Sequence, residues 1–320
     1  MKRIRKILIV LSILLMCASS AACGSGFSSG SVSPESTSAP APVSSELVKN
    51  ARISYLGPEG TYTEEAARFF FSDGFFSPRE TVPDAIQDVK KGRADYAVIP
   101  QENTLGGAVT KYVDALIAEE DIYVVGEVIL PISQTLMGLP GTSIDEIRTV
   151  CSHEQGITQS AEWRKKNMPD AATQEMASTA AAASYVSESN DKSIAAIAAP
   201  GAAKLYGLSV LAENVQITDA NKTRFYVLSS SRLKEPKKPQ TNAVFVASCE
   251  ANRLDDIIIG LHKAGAELVT VHDRPEGSYL GSYNYVIEVN RKSGLPDDAI
   301  EKLTRIPGLH YLGSFNVMRK

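Results

Sequence analysis

Short apolar runs alternate with amphipathic stretches between Arg52 and Ser231, and their lengths are typical of buried strands and of helices. The strand-like runs are "RISYL", "ADYAVIP", "IYVVGEVILPI" (one long strand or a pair), "IRTVCS" and "IAAIAA". Helical stretches between them are "GPEGTYTEEAARFFF", "GGAVTKYVDALIAE", "ITQSAEWRKK" and "MASTAAAASYVSE". In the first of these, Thr61 and Glu64 have the spacing of a capping box. The alternation predicts an α/β domain with a largely parallel sheet over residues 50–231.

The pattern changes at "RLKEPKKPQ", where two prolines and several charges interrupt the apolar periodicity. Residues 232–240 are therefore predicted to be a linker. The stretches beyond it are "NAVFVAS", "LDDIIIGLHKAG", "ELVTVHDRP", "SYNYVIEV", "DDAIEKLTRI" and "HYLGSF". Their order is strand, helix, strand, strand, helix, strand. This order predicts a ferredoxin-like βαββαβ domain over residues 241–320.

The N-terminus has the three parts of a secretory signal peptide. Basic residues precede the apolar run "ILIVLSILLM", which is short for a membrane span and is followed by "CASSAAC". Cys23 follows Ser20-Ala21-Ala22, and this stretch resembles the lipobox of bacterial lipoproteins, in which the cysteine becomes the lipidated first residue. The resemblance implies a signal peptide over residues 1–23 and a lipid anchor on the extracytoplasmic face of the cell membrane. A plain secreted protein and an uncleaved anchor are the alternatives.

Residues 24–49 are rich in Ser, Gly, Pro and Ala and nearly free of large apolar side chains. Such a segment cannot bury enough apolar surface to offset the entropy lost on ordering. It is therefore predicted to be a disordered tether, and as a flexible coil it would reach about 25–30 Å.

Length, charge and composition exclude several classes of function. A chain of 320 residues suggests two domains, and its formal net charge of −4 provides no basic excess for nucleic acid. Four cysteines without a C-x-x-C pair and four scattered histidines predict neither a disulfide scaffold nor a metal site. Gly57 and Gly60 look like part of a phosphate-binding loop, but the lysine of such a loop is missing, so nucleotide binding is rejected.

Six stretches of the first domain together resemble the prephenate dehydratase family, in that family's order and at suitable spacing. They are "YLGPEGTYTEEAA", "AVIPQENTLGGAV", "CSHEQGITQ", "STAAAA", "AAKLYGLSVLAENVQ" and "NKTRF". Residues 241–320 resemble the ACT regulatory domain that follows the catalytic domain in this family. The resemblance implies a two-lobed catalytic domain of the type II periplasmic-binding-protein kind, with the active site between the lobes. It also implies a homodimer or higher oligomer.

The reaction implied by this resemblance is the decarboxylating loss of hydroxide from prephenate. It gives phenylpyruvate, carbon dioxide and water on the route to phenylalanine. Formation of the aromatic ring drives the reaction, and the family needs no metal and no organic cofactor. The protein must hold two carboxylates and supply a proton or a hydrogen bond to the departing C4 hydroxyl.

Residues that match the family's motifs are the candidates for this site. The candidates for catalysis are Glu102, Asn103, Ser152, Gln159 and Thr223. The resemblance implies that Thr223 faces the departing hydroxyl, and Arg224 beside it is expected to bind a substrate carboxylate through its bidentate fork. Thr104 and Thr61 are further candidates for substrate binding, Thr61 because a helix N-terminus attracts a carboxylate.

Each motif also has a purely structural interpretation. Glu102 and Asn103 would form a turn at a strand end, since Asn readily hydrogen-bonds its own backbone. Ser152 would cap the helix that follows it. His153 is treated as a structural hydrogen-bonding residue and not as a catalytic base.

The ACT-like region departs from the family at the expected phenylalanine site. Family members have a Gly-Ala-Leu stretch at the first helix and a Glu-Ser-Arg-Pro stretch after the second strand, and these bind phenylalanine at a dimer interface. The corresponding residues here are Asn252, Arg253 and Leu254, and then His272, Asp273, Arg274 and Pro275. A glycine lets the backbone approach a ligand closely, and Asn252 would obstruct that approach. Phenylalanine feedback is therefore expected to be weak or absent.

The predicted export separates this chain from the cytoplasm, where prephenate is normally made and used. It raises a second hypothesis, a lipid-anchored solute-binding or sensor protein for an aromatic or carboxylate ligand. The two-lobed fold serves both classes of protein, so the fold does not decide between them. The retained Thr223, Asn103, Ser152 and Gln159 favour the enzyme, because a binding protein needs no donor aimed at a leaving hydroxyl.

Overall fold

The computed structural model describes residues 48–119, 121–232 and 239–320. The predicted signal peptide with Cys23, nearly all of the predicted tether and most of the predicted linker lie outside these residues. Within the described ranges, no helix is long and apolar enough to cross a membrane.

The elements follow the alternation expected from the sequence, with short strands and two further helices added. The strands are β1 (Arg52–Leu56), β2 (Phe75–Arg79), β3 (Tyr96–Asn103), β4 (Gly107–Ala108), β5 (Tyr123–Pro131), β6 (Thr135–Gly138), β7 (Thr149–Ser152), β8 (Ala172–Glu175), β9 (Ile194–Ala198), β10 (Ser209–Ala212), β11 (Lys222–Ser229), β12 (Asn242–Glu250), β13 (Glu267–Pro275), β14 (Ser282–Asn290), β15 (Leu309–Phe315) and β16 (Val317–Arg319). The α-helices are α1 (Tyr62–Phe70), α2 (Val82–Lys90), α3 (Thr110–Ala118), α4 (Glu154–Gln159), α5 (Ala161–Asn167), α6 (Thr179–Ser189), α7 (Pro200–Leu205), α8 (Leu254–Lys263) and α9 (Asp297–Thr304). The apolar run from Ile122 to Ile132 forms one long strand, β5, and not a pair.

The first lobe is built on a seven-stranded mixed sheet. Its strands lie in the order β16-β5-β11-β3-β1-β2, and β4 pairs with the end of β3. β1 is parallel to β2 and β3, whereas β11 is antiparallel to both β3 and β5. Five of the seven strands therefore run in one direction, as expected of a largely parallel sheet, and the long exception is β11, which enters the sheet as the chain returns from the second lobe.

The second lobe contains a five-stranded sheet in the order β10-β6-β9-β7-β8. The chain crosses between the lobes twice, and the two crossings are hydrogen-bonded to each other. The backbone N–H of Ile132 donates to the carbonyl of Asn221 at 3.0 Å, and that of Val215 donates to the carbonyl of Gln134 at 2.9 Å. Two lobes joined by a paired double crossing are the arrangement expected of a periplasmic-binding-protein-like domain.

Local sequence determines where two helices near the cleft begin and end. Thr61 caps α1 by accepting from the backbone N–H of Glu64 at 3.4 Å, and the Glu64 carboxylate accepts from the N–H of Gly60 at 2.6 Å. The stretch "ITQSAEWRKK", expected to be one helical stretch, is divided between α4 and α5 at Ser160. The Ser160 hydroxyl donates to the carbonyl of Gly156 at 2.6 Å, a local bond that competes with the regular helix.

Residues 242–315 form the expected ferredoxin-like unit. Its antiparallel sheet has the order β13-β14-β12-β15, and α8 and α9 cover one face. The other face packs on the first lobe, where Val244 and Val286 join the apolar core of that lobe. Burial on both faces explains why β12 and β14 read as nearly continuous apolar runs.

The C-terminus adds a strand that the sequence pattern does not predict. After β15 the chain continues into β16, which pairs in parallel with β5 at the edge of the first-lobe sheet. Gly313, at a φ of 136°, permits the close approach, because a Cβ there would lie 2.2 Å from the carbonyl oxygen of Val124. The ferredoxin-like unit is therefore joined to the first lobe by backbone pairing as well as by side-chain packing.

Candidate active site

Two paired strands divide the candidate residues between two faces of the first-lobe sheet. At the start of β11, Thr223 lies opposite Asn103 and Arg224 lies opposite Glu102. Side chains alternate along a strand, so Thr223 and Asn103 share one face while Arg224 and Glu102 share the other. Only the first pair can point into the cleft between the lobes.

Asn103 fixes the orientation of the Thr223 hydroxyl. Its Oδ1 accepts from the backbone N–H groups of Leu105 at 2.9 Å and Gly106 at 3.0 Å, which leaves Nδ2 as the donor on the other side. Nδ2 donates to Oγ1 of Thr223 at 2.8 Å and to Oδ1 of Asn221 at 2.9 Å. The Thr223 oxygen therefore accepts a bond, and its own proton finds no acceptor among the described residues. A hydroxyl held this way is free to donate.

The hydrogen bonds continue from Asn103 into the second lobe. Nδ2 of Asn221 donates to Oε1 of Gln159 at 3.2 Å, and Nε2 of Gln134 donates to the same oxygen at 3.1 Å. Thr223 is 8% exposed, and Asn221, Gln159 and Gln134 are also buried. We call Thr223, Asn103, Asn221, Gln159 and Gln134 the cleft network.

Two members of the cleft network, Asn221 and Gln134, are absent from the sequence-based candidates. Asn221 is the first residue of the "NKTRF" motif, but the motif was interpreted only through Thr223 and Arg224. Gln134 lies in a crossing segment that matches no motif. Its Oε1 is buried and has no hydrogen-bond partner in the described part of the chain. This oxygen is an acceptor left for a bound molecule or for water.

Ser152 lies at the end of β7 but does not join the cleft network. Its hydroxyl donates to the carbonyl of Ile197 at 2.7 Å, and a Cβ on Gly156 would lie 2.2 Å from it. The cap of α4 is His153, whose side chain accepts from the N–H of Gln155 at 3.3 Å. The interpretation of Ser152 as a helix cap is therefore wrong, whereas a structural role for His153 is confirmed. Direct contact of Ser152 with substrate stays a prediction.

Thr104 joins the ends of two strands. Its Oγ1 donates to the carbonyl of Lys222 at 3.0 Å and accepts from the Lys222 N–H at 3.1 Å. These bonds hold the end of β3 against the start of β11, directly beside Thr223. They give Thr104 a structural function in addition to the predicted substrate contact.

Glycines lie where the two lobes approach each other on either side of the cleft. On one side, a Cβ on Gly60 would come within 3.1 Å of the Leu205 side chain, and the Tyr206 hydroxyl donates to the carbonyl of Glu59 at 2.8 Å. On the other side, a Cβ on Gly106 would lie 3.1 Å from Nε2 of Gln155. The two lobes are therefore in contact on both sides of the cleft.

A cavity of about 1080 Å³ lies between α1 and α7. Its lining includes Thr61, Tyr62, Pro131, Ser133, Ala199 and Lys204. The cleft network does not line it but adjoins it, since Pro131 pairs with Lys222 next to Thr223. Of the predicted residues, only Thr61 lies on its wall, and it does so at the N-terminus of α1, where a carboxylate is favoured.

Arg224 is not free to bind substrate. Its Nε donates to Glu127, its Nη2 lies 2.6 Å from Glu288 of β14, and its Nη1 lies 3.4 Å from Glu102. The assignment of Arg224 to a substrate carboxylate is therefore wrong, because every arm of its fork is already used on the face away from the cleft. The assignment of Glu102 to the catalytic cleft is corrected for the same reason.

Arg224, Glu102, Glu127 and Glu288, together with His272 at 3.8 Å from Glu102, form an interdomain charge cluster. It holds three carboxylates for one guanidinium, and Glu127 and Glu288 are fully buried. Burial raises the pKa of Glu127 to about 7, and the neighbouring Glu288 adds to the shift while the hydrogen bond from Arg224 opposes it. Burial also lowers the pKa of His272, so its ring provides no second cation near neutral pH.

Comparison with known proteins decides the family. The sequence profile described as "Prephenate dehydratase" matches residues 53–232. The prephenate dehydratase of Amycolatopsis methanolica is 34% identical over 272 residues, which cover 83% of this chain and 88% of that protein. This chain belongs to the prephenate dehydratase family.

Solved structures show the same fold. A crystal structure described as prephenate dehydratase in complex with L-Phe, from Arthrobacter aurescens, matches with a TM-score of 0.74 and 30% identity over 82% of this chain and 89% of that chain. A structure described as "GqqA- a novel type of quorum quenching acylases" matches with a TM-score of 0.73 and 26% identity over 83% of this chain and 97% of that chain. Proteins described by different activities therefore share this fold, so activity has to be argued from the site.

At the positions where the sequence comparison leads us to expect phenylalanine binding, two residues of β13 are turned to the first lobe. The His272 ring is hydrogen-bonded to the Tyr112 hydroxyl, and the Arg274 guanidinium pairs with Asp114 of α3 at 2.5 Å. Asn252 lies exposed in a short 3₁₀ turn before α8. His272 and Arg274 thus connect the ferredoxin-like unit to the first lobe.

The raised pKa of Glu127 predicts a stability that depends on pH. In the unfolded chain this carboxyl ionises near pH 4.3, whereas in the folded protein it keeps its proton up to about pH 7. The folded state binds more protons between these values, so this group lowers the free energy of unfolding as pH rises through the window. Relative to the wild type, Glu127→Gln should therefore gain stability between about pH 5 and about pH 8, as measured by urea unfolding. A difference in the free energy of unfolding between Glu127→Gln and the wild type that does not change with pH would contradict the prediction.

Proposed function

We propose that this protein is a prephenate dehydratase that converts prephenate to phenylpyruvate, carbon dioxide and water. The observation that carries the proposal is the Thr223 hydroxyl, which accepts from Asn103 and keeps its own proton available toward the cleft. Membership of the family over residues 53–232 supports the same reaction.

In this mechanism the electrons of the breaking C–C bond to the ring carboxylate flow into the ring as the C4–O bond breaks. The departing hydroxide takes a proton from Thr223 and leaves as water, and a proton from solvent then restores the Thr223 hydroxyl. A threonine hydroxyl is a weak acid, so the proton moves together with C–O cleavage and not before it. The bond from Asn103 Nδ2 to Oγ1 stabilises the negative charge that develops on this oxygen.

The two substrate carboxylates need partners other than Arg224. Lys204 lines the cavity and has no carboxylate partner in the described residues. The N-terminus of α1 at Thr61 lies on the same wall and carries the positive end of the helix dipole, and Glu64 and Glu65 of its first turn line the cavity as well. We assign carboxylate binding to Lys204 and this helix N-terminus, and Lys204→Met is expected to raise KM for prephenate about tenfold with little change in kcat. An unchanged KM would remove Lys204 from this assignment.

Turnover of prephenate tests the function directly. The full-length protein, in detergent if needed, is mixed with prephenate at neutral pH, and phenylpyruvate is measured by its absorbance in alkali. We expect formation of phenylpyruvate in proportion to enzyme concentration. Binding of prephenate without any product would contradict the enzyme and favour the solute-binding or sensor protein.

We propose that phenylalanine inhibits this protein weakly or not at all. The support is Asn252 in place of the family's glycine, together with His272, whose ring is held by Tyr112. L-phenylalanine is titrated into the prephenate assay, and no loss of rate is expected at micromolar concentrations. Half-inhibition in that range would show that the altered region still binds the amino acid.

We propose that Cys23 is lipidated and holds the protein on the extracytoplasmic face of the membrane. Cys23 lies outside the described residues, so the support is the sequence around it. Cys23→Ala should lose metabolic labelling with a fatty acid and move to the soluble or secreted fraction. A variant that stays on the membrane would show that the apolar N-terminal run acts as an uncleaved anchor.

A further inference from the structure

The strand that carries Thr223 is irregularly paired at this point. The register between β11 and β3 shifts between Arg224 and Phe225, which is a bulge in the ladder next to Thr223. On the other side of β11, Lys222 faces Pro131, which has no N–H to donate. Thr104 and the regular pairing with β5 hold the backbone at Thr223 itself, but the bulge leaves the step from Arg224 to Phe225 without regular pairing on the β3 side.

Side chains on the opposite face add a constraint across the bulge. The Arg224 side chain is only 16% exposed, and Glu288 accepts from its Nη2 at 2.6 Å. The same carboxylate accepts from the Tyr226 hydroxyl at 2.7 Å and from Nδ2 of Asn242 at 2.8 Å. Glu288 is fully buried and therefore holds two residues of β11, one on each side of the bulge, against the ferredoxin-like unit.

We propose that Glu288 is a positioning residue for Thr223, acting through Arg224 and Tyr226. The ferredoxin-like unit then contributes to the active-site geometry although none of its residues touches substrate. The inference rests on the proposed dehydratase function, because it assigns Glu288 an effect on the step that Thr223 performs.

Loss of the Glu288 carboxylate is expected to slow the chemical step, because Thr223 would be displaced from its position. A displacement of about 1 Å in a catalytic group costs up to about 10²-fold in rate. Substrate is held by groups of the cleft and cavity, which Glu288 does not contact. Loss of this carboxylate should therefore lower kcat and leave KM nearly unchanged.

The test compares Glu288→Gln with Glu267→Gln in the full-length protein. The first variant keeps the side-chain volume but presents an amide N–H₂ to donors that need an acceptor. The second removes a carboxylate from the same sheet where it is 64% exposed and distant from β11. We expect kcat to fall about 10²-fold in Glu288→Gln, with KM within about twofold of the wild type, and no change in Glu267→Gln.

A second variant keeps the test decisive if Glu288→Gln does not fold. Tyr226→Phe deletes the bond to Glu288 and the bond that the Tyr226 hydroxyl accepts from Nε2 of Gln101, and it should lower kcat several-fold at unchanged KM. In the Tyr226→Phe background, Glu288→Gln should cost less than it does alone, because both act on one strand. If the wild type turns over prephenate and kcat is unaltered in folded Glu288→Gln or in Tyr226→Phe, the positioning role of Glu288 is wrong and the proposed function stands. Absence of wild-type turnover would overturn the proposed function together with this role.

Discussion

Thr223→Val is expected to lower kcat by about 10²–10⁴-fold, the range found when a positioned proton donor is removed. Valine keeps the shape of threonine and deletes the hydroxyl, so the departing group would have to leave as hydroxide without a proton from this side chain. KM should change little, because the contact strengthens as the C–O bond breaks and contributes little to ground-state binding. The measurement is steady-state formation of phenylpyruvate from prephenate.

Thr223→Ser is the matched control, since it keeps the hydroxyl and removes only a methyl group. It should retain substantial activity, because Nδ2 of Asn103 can hold the serine oxygen as it holds Oγ1 of Thr223. The valine variant leaves that amide with an unmade bond, which costs about 1–3 kcal/mol of stability. Thermal unfolding therefore has to show that both variants are folded at the assay temperature. Near-normal kcat in folded Thr223→Val would mean that "NKTRF" is no more than a strand entry and that the donor lies elsewhere.

The different outcomes for Thr223 and Arg224 show what sequence reasoning can reach at this site. The motif places both residues at the start of one strand, and the alternation of side chains requires them to face opposite ways. Which face borders the cleft depends on where the second lobe and the ferredoxin-like unit pack. That information comes from contacts between residues far apart in the chain, such as Arg224 with Glu288.

The fold could be predicted where periodicity and local signals agree. The helix cap at Thr61 and the ferredoxin-like order of elements follow from short-range patterns, which also mark "IYVVGEVILPI" as strand without deciding between one strand and a pair. Strand β16 could not be predicted, because three residues carry no periodicity and their pairing depends on the exposed edge of β5. Glu288 did leave a signal, since a charge inside the apolar run "YVIEV" requires a buried partner. The sequence does not say which partner.

Arg224→Met is expected to lower the free energy of unfolding by about 3–5 kcal/mol, which is the usual cost of removing one member of a buried ion pair. The long apolar side chain replaces much of the volume, so the loss comes mainly from the carboxylates of Glu127 and Glu288, which are fully buried and would lose their cation. Urea unfolding measures the change. Arg305→Met is the control, because that guanidinium is 73% exposed in its pair with Glu301, and such pairs contribute about 0–1 kcal/mol.

The pH dependence of this loss separates charge from packing. The pKa of Glu127 is already raised to about 7 by burial, and removing Arg224 removes the hydrogen bond that opposes this rise. At about pH 5 the orphaned Glu127 carboxyl therefore takes up a proton and becomes neutral, so the destabilisation should be smaller there than at about pH 8. The double variant Arg224→Met/Glu288→Gln should recover part of the loss at the higher pH, because one of the two unpaired charges is gone. An equal loss at both pH values, with no recovery in the double variant, would mean that Arg224 stabilises the protein by packing and that its three carboxylate contacts contribute little.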